Sequence, residues 1–229
     1  MSAAAPLEER LAWVRAEMAA AAGRSGRDPD EISLLPVTKG QPETAVAAAL
    51  ALGLDDLGEN YLQECRSKDL ALLARGQARP RWHMLGHLQR NKVRRAAELF
   101  SVLETVDSLA LARAISASRA DQGRLMILCE VDFTGLPGRG GYPPAQLAAE
   151  LEELQALPGV LMRGLMTVAS REEPERCFDA CRTLRDHLAE QGGAELPVLS
   201  MGMSGDFREA IAAGSTQVRA GTLLFGPRL

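Results

Sequence analysis

Primary amines are scarce in this chain: of 26 basic side chains only Lys39, Lys68 and Lys92 are lysines, so chemistry that needs a nucleophilic amine has three places to happen. Lys39 follows the apolar run Leu34-Leu35-Pro36-Val37-Thr38 and precedes Gly40-Gln41-Pro42, the pattern of a strand ending in a turn. Lys68 and Lys92 fall in helical stretches instead. Burial at a strand end brings a lysine down from a pKa of about 10.4 toward neutrality, leaving an amine that attacks an aldehyde. The plainer reading of the same residue is a salt-bridge partner at a rim.

Two other segments offer anion-binding chemistry. In Ser200-Met201-Gly202-Met203-Ser204-Gly205-Asp206-Phe207-Arg208-Glu209 a strand ends in small residues and a helix begins. The glycines would let backbone N–H groups approach a phosphate at the helix N-terminus, and Asp206 and Glu209 have capping-box spacing. A tight turn with no ligand is the alternative. The run Val218-Arg219-Ala220-Gly221-Thr222 closes the last strand. Arg219 stays protonated throughout the usual range, so beside a pyridine nitrogen it would keep that nitrogen unprotonated and the ring a weaker electron sink.

Further polar residues follow other apolar runs: Glu59 and Asn60, His87 and Gln89, Asp107, and Thr167. Asn60 could hydrogen-bond a ring oxygen of a ligand, and any of the set could serve only to satisfy loop backbone. Arg90, Lys92, Arg94 and Arg95 cluster near a helix start without interleaved aromatics, which reads as a solvated face or, more sharply, as a second phosphate site or partner surface.

The elements that position these residues follow from hydrophobic periodicity. Leu7 to Ala22 predicts an N-terminal helix closed by Gly23. After it come eight expected strands at 33–38, 54–57, 82–85, 99–102, 125–131, 161–166, 198–201 and 217–219. Helices are expected between them at 42–52, 61–74, 91–98, 108–120, 144–157, 173–191 and 207–213. Regular alternation implies a parallel sheet, and eight strands allow it to close. The expected fold is an α/β class (β/α)8 barrel with an extra N-terminal helix, in one domain spanning 1–229; a doubly wound open sheet is the alternative. Barrels carry their sites at the C-terminal strand ends, where Lys39, Asn60, Ser204, Gly205, Arg219, Gly221 and Thr222 would gather.

Composition fits an ordinary globular protein, with 46% hydrophobic and 24% charged residues. The first residues lack a signal-peptide core and the longest apolar run, Ala45 to Leu54, is too short to span a bilayer, so a cytoplasmic protein without a membrane role is expected. A net charge of −4 disfavours general nucleic-acid binding. Cys65, Cys129, Cys177 and Cys181 form no CxxC pair, and His83 and His87 lack the glutamate of a zinc-protease motif, so no metal is expected.

The motifs LLPVTKGQP, LGENYLQE, WHMLGHLQRNK, RGLMTVA and LSMGMSGDFREAIAAGSTQVRAGTLLFG, in this order from Leu34 to Gly226, resemble the pyridoxal phosphate homeostasis protein family. That resemblance implies a barrel like the N-terminal domain of alanine racemase, without its second domain, and pyridoxal 5′-phosphate (PLP) as cofactor. It also implies an aldimine on Lys39, the phosphate held by Ser204, Gly205, Gly221 and Thr222, Arg219 against the ring nitrogen, and Asn60 as a further ring contact. The implied role is a carrier or buffer that hands PLP to apoenzymes, without an established reaction, and a monomer is favoured because the racemase dimer depends on the missing domain. This chain departs from the family in carrying Arg139-Gly140-Gly141 where relatives have a lysine-serine-glycine run, and Gly40-Gln41-Pro42 where many have a more basic triplet.

A PLP-dependent racemase or decarboxylase is the alternative function. It needs a second acid/base group across the ring from Lys39, and only Tyr61 and Tyr142 exist as tyrosines. A cofactor-free Schiff-base aldolase fits poorly, because no lysine follows position 92.

Overall fold

The structure, a computed structural model, describes residues 5–119, 122–193 and 195–227. Eight parallel strands, each followed by a helix, form the barrel. They are β1 (Ser33–Pro36), β2 (Asp56–Glu59), β3 (Arg81–Met84), β4 (Val102–Val106), β5 (Leu125–Glu130), β6 (Val160–Met166), β7 (Val198–Ser200) and β8 (Gln217–Ala220). The helices are α1 (Leu7–Arg24), α2 (Glu43–Ala51), α3 (Leu62–Ala74), α4 (Val93–Leu99), α5 (Leu109–Ala117), α6 (Pro144–Gln155), α7 (Pro174–Gly192), α8 (Phe207–Ala212) and α9 (Thr222–Phe225).

Strand order around the sheet is β1-β8-β7-β6-β5-β4-β3-β2. The ring closes where β1 meets β2, through a bridge between Val37 and Gly58 and a 3.0 Å hydrogen bond from Thr38 N to Gly58 O. A cylinder, not the open sheet, is therefore what the alternating pattern encodes. Parallel strands covered on both faces have no solvent-facing side to mark them. Leu57, Leu103, Ile127, Leu165 and Leu199 are wholly buried.

Part of the interior of the cylinder is polar, with Leu35 in register beside Arg219 on the same face. Gln217 and Arg219, two residues apart on β8, share one face with Ser200, Glu104 and His83, while the intervening Val218 and Ala220 belong to the packed layer.

Four boundary expectations need correction. The first helix runs past Gly23 to Arg24, and the left-handed residue that ends the turn is Gly26, at φ 65°. The fourth strand lies at Val102–Val106, because Leu99 completes α4 and the polar Glu104 and Thr105 are buried in the strand. The second strand is shifted onto Asp56–Glu59. The expected end of the 108–120 helix at Ala120 falls outside the described residues, and the observed helix closes at Ala117.

The N-terminal helix is bound to the last two helices of the barrel. Arg208 of α8 pairs with Glu17 at 2.5 Å and lies over the Phe207 and Trp13 rings. Arg27, just past α1, donates to the carbonyls of Ile211 (2.8 Å) and Ser215 (2.7 Å), which lie at the C-terminal end of α8 and beyond it. Arg10 reaches Leu224 O of α9 at 3.4 Å. No helix among the described residues is long and apolar enough to cross a membrane.

Candidate functional site

Closure of the barrel sets the first strand beside the last. Because β8 lies between β1 and β7, the turns after these three strands, carrying Lys39, Gly221-Thr222 and Ser204-Gly205, are consecutive on the rim, and Asn60 after β2 flanks Lys39 on the other side. Val37 N donates to Ala220 O at 2.8 Å, which ties the Lys39 strand to the residue preceding Gly221.

Lys39 occupies the second position of a turn closed by Gln41 N donating to Thr38 O at 2.9 Å. The third position, Gly40, has φ 70°, which an L side chain adopts only with strain. The Lys-Gly order thus follows from the turn. Lys39 lines a pocket with Val37, Gln41, Gly221, Thr222 and Gly226, of about 40 Å³. A recess of that size admits water and does not enclose an aromatic ring.

Donor chemistry on the neighbouring turns suits an anion. Both α8 and α9 begin without a side-chain cap, so their first N–H groups have neither an intrahelical carbonyl nor a capping oxygen. The capping box expected from Asp206 and Glu209 does not form. The Asp206 carboxylate turns back to accept from Met203 N at 2.6 Å, closing the 203–206 turn on itself. A Cβ built on Gly205 meets nothing within 4 Å, so the turn is open to an incoming group. Gly202 is different: at φ 89°, its Cβ would sit 2.5 Å from Ala210 Cβ, so only glycine brings this turn down onto α8. Phosphate at this pair of helix starts would meet backbone donors from both sides.

Arg219 is buried inside the mouth. Its guanidinium donates to Ser200 O (2.5 Å), Ser200 Oγ (2.9 Å) and Thr167 O (2.8 Å), engaging three of its five donors. Burial lowers its pKa, while the carboxylates of Glu104, Asp206 and Glu130 act to raise it. Thr167 lies at this rim as expected, although its hydroxyl is committed to Val131 O at 2.8 Å.

Below Arg219 a chain of hydrogen bonds descends the barrel. Ser200 Oγ donates to Glu104 Oε2 (2.6 Å), and Glu104 Oε1 meets His83 Nδ1 (2.6 Å) and Gln217 Nε2 (2.8 Å). His83 Nε2 then meets Asp56 Oδ1 at 3.2 Å. Burial alone would push His83 down, but the bonds to Asp56 and Glu104 outweigh it and lift its pKa to about 9. Burial likewise acts to raise Glu104, yet the His83 contact holds it below the ordinary carboxylate range. His83 and Glu104 are not recognisable as partners in the sequence, since Glu104 lies in a strand without hydrophobic alternation, and the neighbouring His87 is exposed, 3.5 Å from Asp107.

Lys68 is buried on the outer side of the strand layer, where its amine touches Thr38 O (2.6 Å), Glu59 Oε1 (2.6 Å) and Glu64 Oε1 (2.7 Å). Three acceptors take all three hydrogens of an ammonium, so Lys68 is no candidate nucleophile. A signal for it was present: Lys68 falls at helical spacing between the buried Cys65 and Leu72 of α3, where a lysine requires partners.

Other rim residues divide. Glu130 lies at the end of β5 and burial pushes its carboxyl up, with Asp107 adding to the rise and Arg219, His87 and Arg139 opposing it. Tyr142 bridges to Val131 and is wholly buried, whereas Tyr61 precedes α3 and is 60% exposed. All four cysteines are buried, Cys177 and Cys181 side by side on α7, and desolvation pushes the Cys181 thiol up to about 12. No group of three or more metal-ligating side chains that could hold an ion occurs among the described residues. In the basic segment, Arg94 pairs with Glu98 on the exposed face of α4.

Residues 14–228 match the family of the alanine racemase N-terminal domain. The chain is 39% identical over 227 residues to the pyridoxal phosphate homeostasis protein of Pseudomonas aeruginosa, covering 97% of this chain and 96% of that one. To the protein of the same name from Escherichia coli K12 it is 37% identical over 226 residues, with 97% of each covered. Among solved structures it is similar to PipY of Synechococcus elongatus PCC7942 with PLP bound, at 36% identity and a TM-score of 0.84, covering 96% of this chain and all of that one. Alanine racemase of Clostridium difficile 630 shares the fold at a TM-score of 0.75 and 16% identity, with 96% of this chain laid over 56% of the racemase. With relatives of this identity matched end to end, the chain belongs to the alanine racemase N-terminal domain family and, within it, to the pyridoxal phosphate homeostasis proteins.

Proposed function

We propose that this chain is a PLP-binding protein of intracellular PLP homeostasis, holding PLP on Lys39 and releasing it to apoenzymes. The observation that carries the reading is the placement of Lys39 beside two uncapped helix starts on adjacent strands, an amine next to an array of anion donors. The relatives matched over nearly their whole length are named for PLP homeostasis, and PipY carries PLP.

In this reading the Lys39 amine would hold PLP through its aldehyde, condensing with loss of water. Bound PLP supplies an electron sink for carbanion chemistry. The N–H groups of Ser204, Gly205, Gly221 and Thr222 would hold the phosphate, with open space over Gly205 to admit it. Arg219, held by Ser200 and Thr167, would lie against the ring nitrogen and keep it unprotonated, and Asn60 would contact the ring from the β2 side. Storage is favoured over turnover because Tyr142 is sealed from any ligand and Tyr61 stands on the exposed start of α3, leaving no tyrosine acid/base packed over Lys39.

The test is direct. Protein mixed with PLP is expected to show a visible absorption band, and borohydride is expected to fix the cofactor mass on the Lys39 peptide. A Lys39→Ala protein that keeps the same covalent adduct would overturn the assignment. Cofactor-dependent turnover of alanine, serine or ornithine would favour an enzyme over a carrier.

A further inference from the structure

The peptide units on both sides of Lys39 are held by one cluster of side chains from outside the strand layer. On the N-terminal side, Thr38 O accepts from Lys68 Nζ (2.6 Å) and Thr38 Oγ1 donates to Glu59 Oε1 (2.6 Å). On the C-terminal side, Gly40 N donates to Glu64 Oε1 (2.6 Å). Lys68 joins both carboxylates, so a single ammonium links the two anchors. Glu59 Oε2, on the far side of that carboxylate, is buried without a hydrogen-bond partner in the structure, and burial raises the Glu59 pKa against the pull of Lys68 and Thr38.

This cluster costs more than the fold requires. A buried ammonium with two carboxylates loses much of its Coulomb gain to desolvation, and apolar residues of the same volume often serve a core as well or better. Glu59 and Lys68 are buried in the apolar layer between β1, β2 and α3 and grip Thr38, while Glu64, paired with Lys68, grips Gly40.

We propose that Lys68, with Glu59 and Glu64, acts as a positioning clamp that fixes the backbone of residues 38–40 and so sets the approach of the Lys39 amine to an aldehyde at the barrel mouth. Lys68 does not touch the ligand. Its effect is orientational: holding Thr38 O and Gly40 N removes the rotations of the turn that would swing the Lys39 stem. The inference rests on the PLP reading above for its ligand, and on the hydrogen-bond geometry alone for the clamp.

Two measurements separate the clamp from that reading. In protein without PLP, the Gly40 amide is expected to be protected from hydrogen exchange and to lose protection in Glu64→Ala, whose side chain is partly exposed, so the variant keeps its fold. With PLP as the probe, Glu64→Ala is expected to slow growth of the visible band at least tenfold, as displacement of a reacting group by about an ångström does, while borohydride still fixes the mass on Lys39. Glu64→Gln keeps an oxygen for Gly40 N and is expected to stay within about twofold of the parent, a rescue that a general loss of stability would not give. Lys68→Met alone would strand Glu59, so the double variant Lys68→Met/Glu59→Gln is used to remove the buried charges together; it is expected to slow condensation like Glu64→Ala.

Folded Glu64→Ala and double variants that condense with PLP at the parental rate would overturn the clamp and leave the PLP reading standing. A parent protein that forms no adduct overturns the PLP reading and with it the role given to Lys68, even if Gly40 protection shows the clamp itself to be formed.

Discussion

Lys39 and Lys68 are the same side chain with opposite fates, and the difference is set by where the backbone ends. A lysine in the turn after a strand faces the mouth, and one on the buried stripe of a helix is consumed by its neighbours. Lys39 was legible because strand, lysine and glycine turn are consecutive in sequence. Lys68 and Glu104 were not, because a buried charge is intelligible only through partners on other strands. The same scale governs Gly202, which was legible as a small residue while the reason for it was not. Its φ of 89° and the 2.5 Å approach to Ala210 Cβ predict that Gly202→Ala costs about 2–3 kcal/mol. The unfolding midpoint should drop by about 4–12 °C at ~2–4 °C per kcal/mol, and PLP affinity should fall with it because the 203–206 turn shifts; calorimetry and an absorbance titration check both.

Among the elements, the extra helix α1 is the one that a barrel does not need. Its arginine neighbours make it a strap over the last two βα units: Arg27 ties down the C-terminal end of α8, Glu17 receives Arg208, and Arg10 reaches α9. The uncapped starts of α8 and α9 are thereby fixed from behind. Arg27→Met keeps the aliphatic stem and removes two charged hydrogen bonds to carbonyls, so a loss of about 2 kcal/mol is expected, with weakened PLP binding and an unchanged adduct site on Lys39. Thermal unfolding and peptide mapping read these two effects separately. Periodicity gave the helices and most strands within a few residues, and failed at β4, where five consecutive buried residues include Glu104 and Thr105. A strand with polar residues inside a cylinder carries no hydrophobic alternation for a sequence reading to find.

Taken as a whole, the molecule carries a column of polar groups down its axis, from Arg219 through Ser200, Glu104 and His83 to Asp56. Asp56 sits at about 2, since the His83 and Arg81 contacts overcome the rise that burial would give it. The column makes stability pH-dependent in a definite sense. His83 is raised from 6.5 to about 9 in the fold, so its stabilisation is complete below pH 6.5 and is lost as pH climbs through 9. Glu104 is depressed from 4.5, so its stabilisation is present above that value and fades only as pH falls through the lowered one. Chemical denaturation between pH 6.5 and 9 should therefore show a loss on the order of 3 kcal/mol that a His83→Gln protein lacks. Equal slopes in the two proteins would mean that the histidine is neutral in the fold.

The seam of the cylinder has a consequence for synthesis. The amine at residue 39 leaves the ribosome early, whereas residues 204–205 and 221–222, the proposed phosphate donors, follow the last strands to be made. In a nascent chain that lysine lacks both the burial that would lower its pKa and the donors that arrive with the last strands. On the PLP reading proposed above, uptake would wait until β8 is inserted beside β1, and occupancy would report that closure.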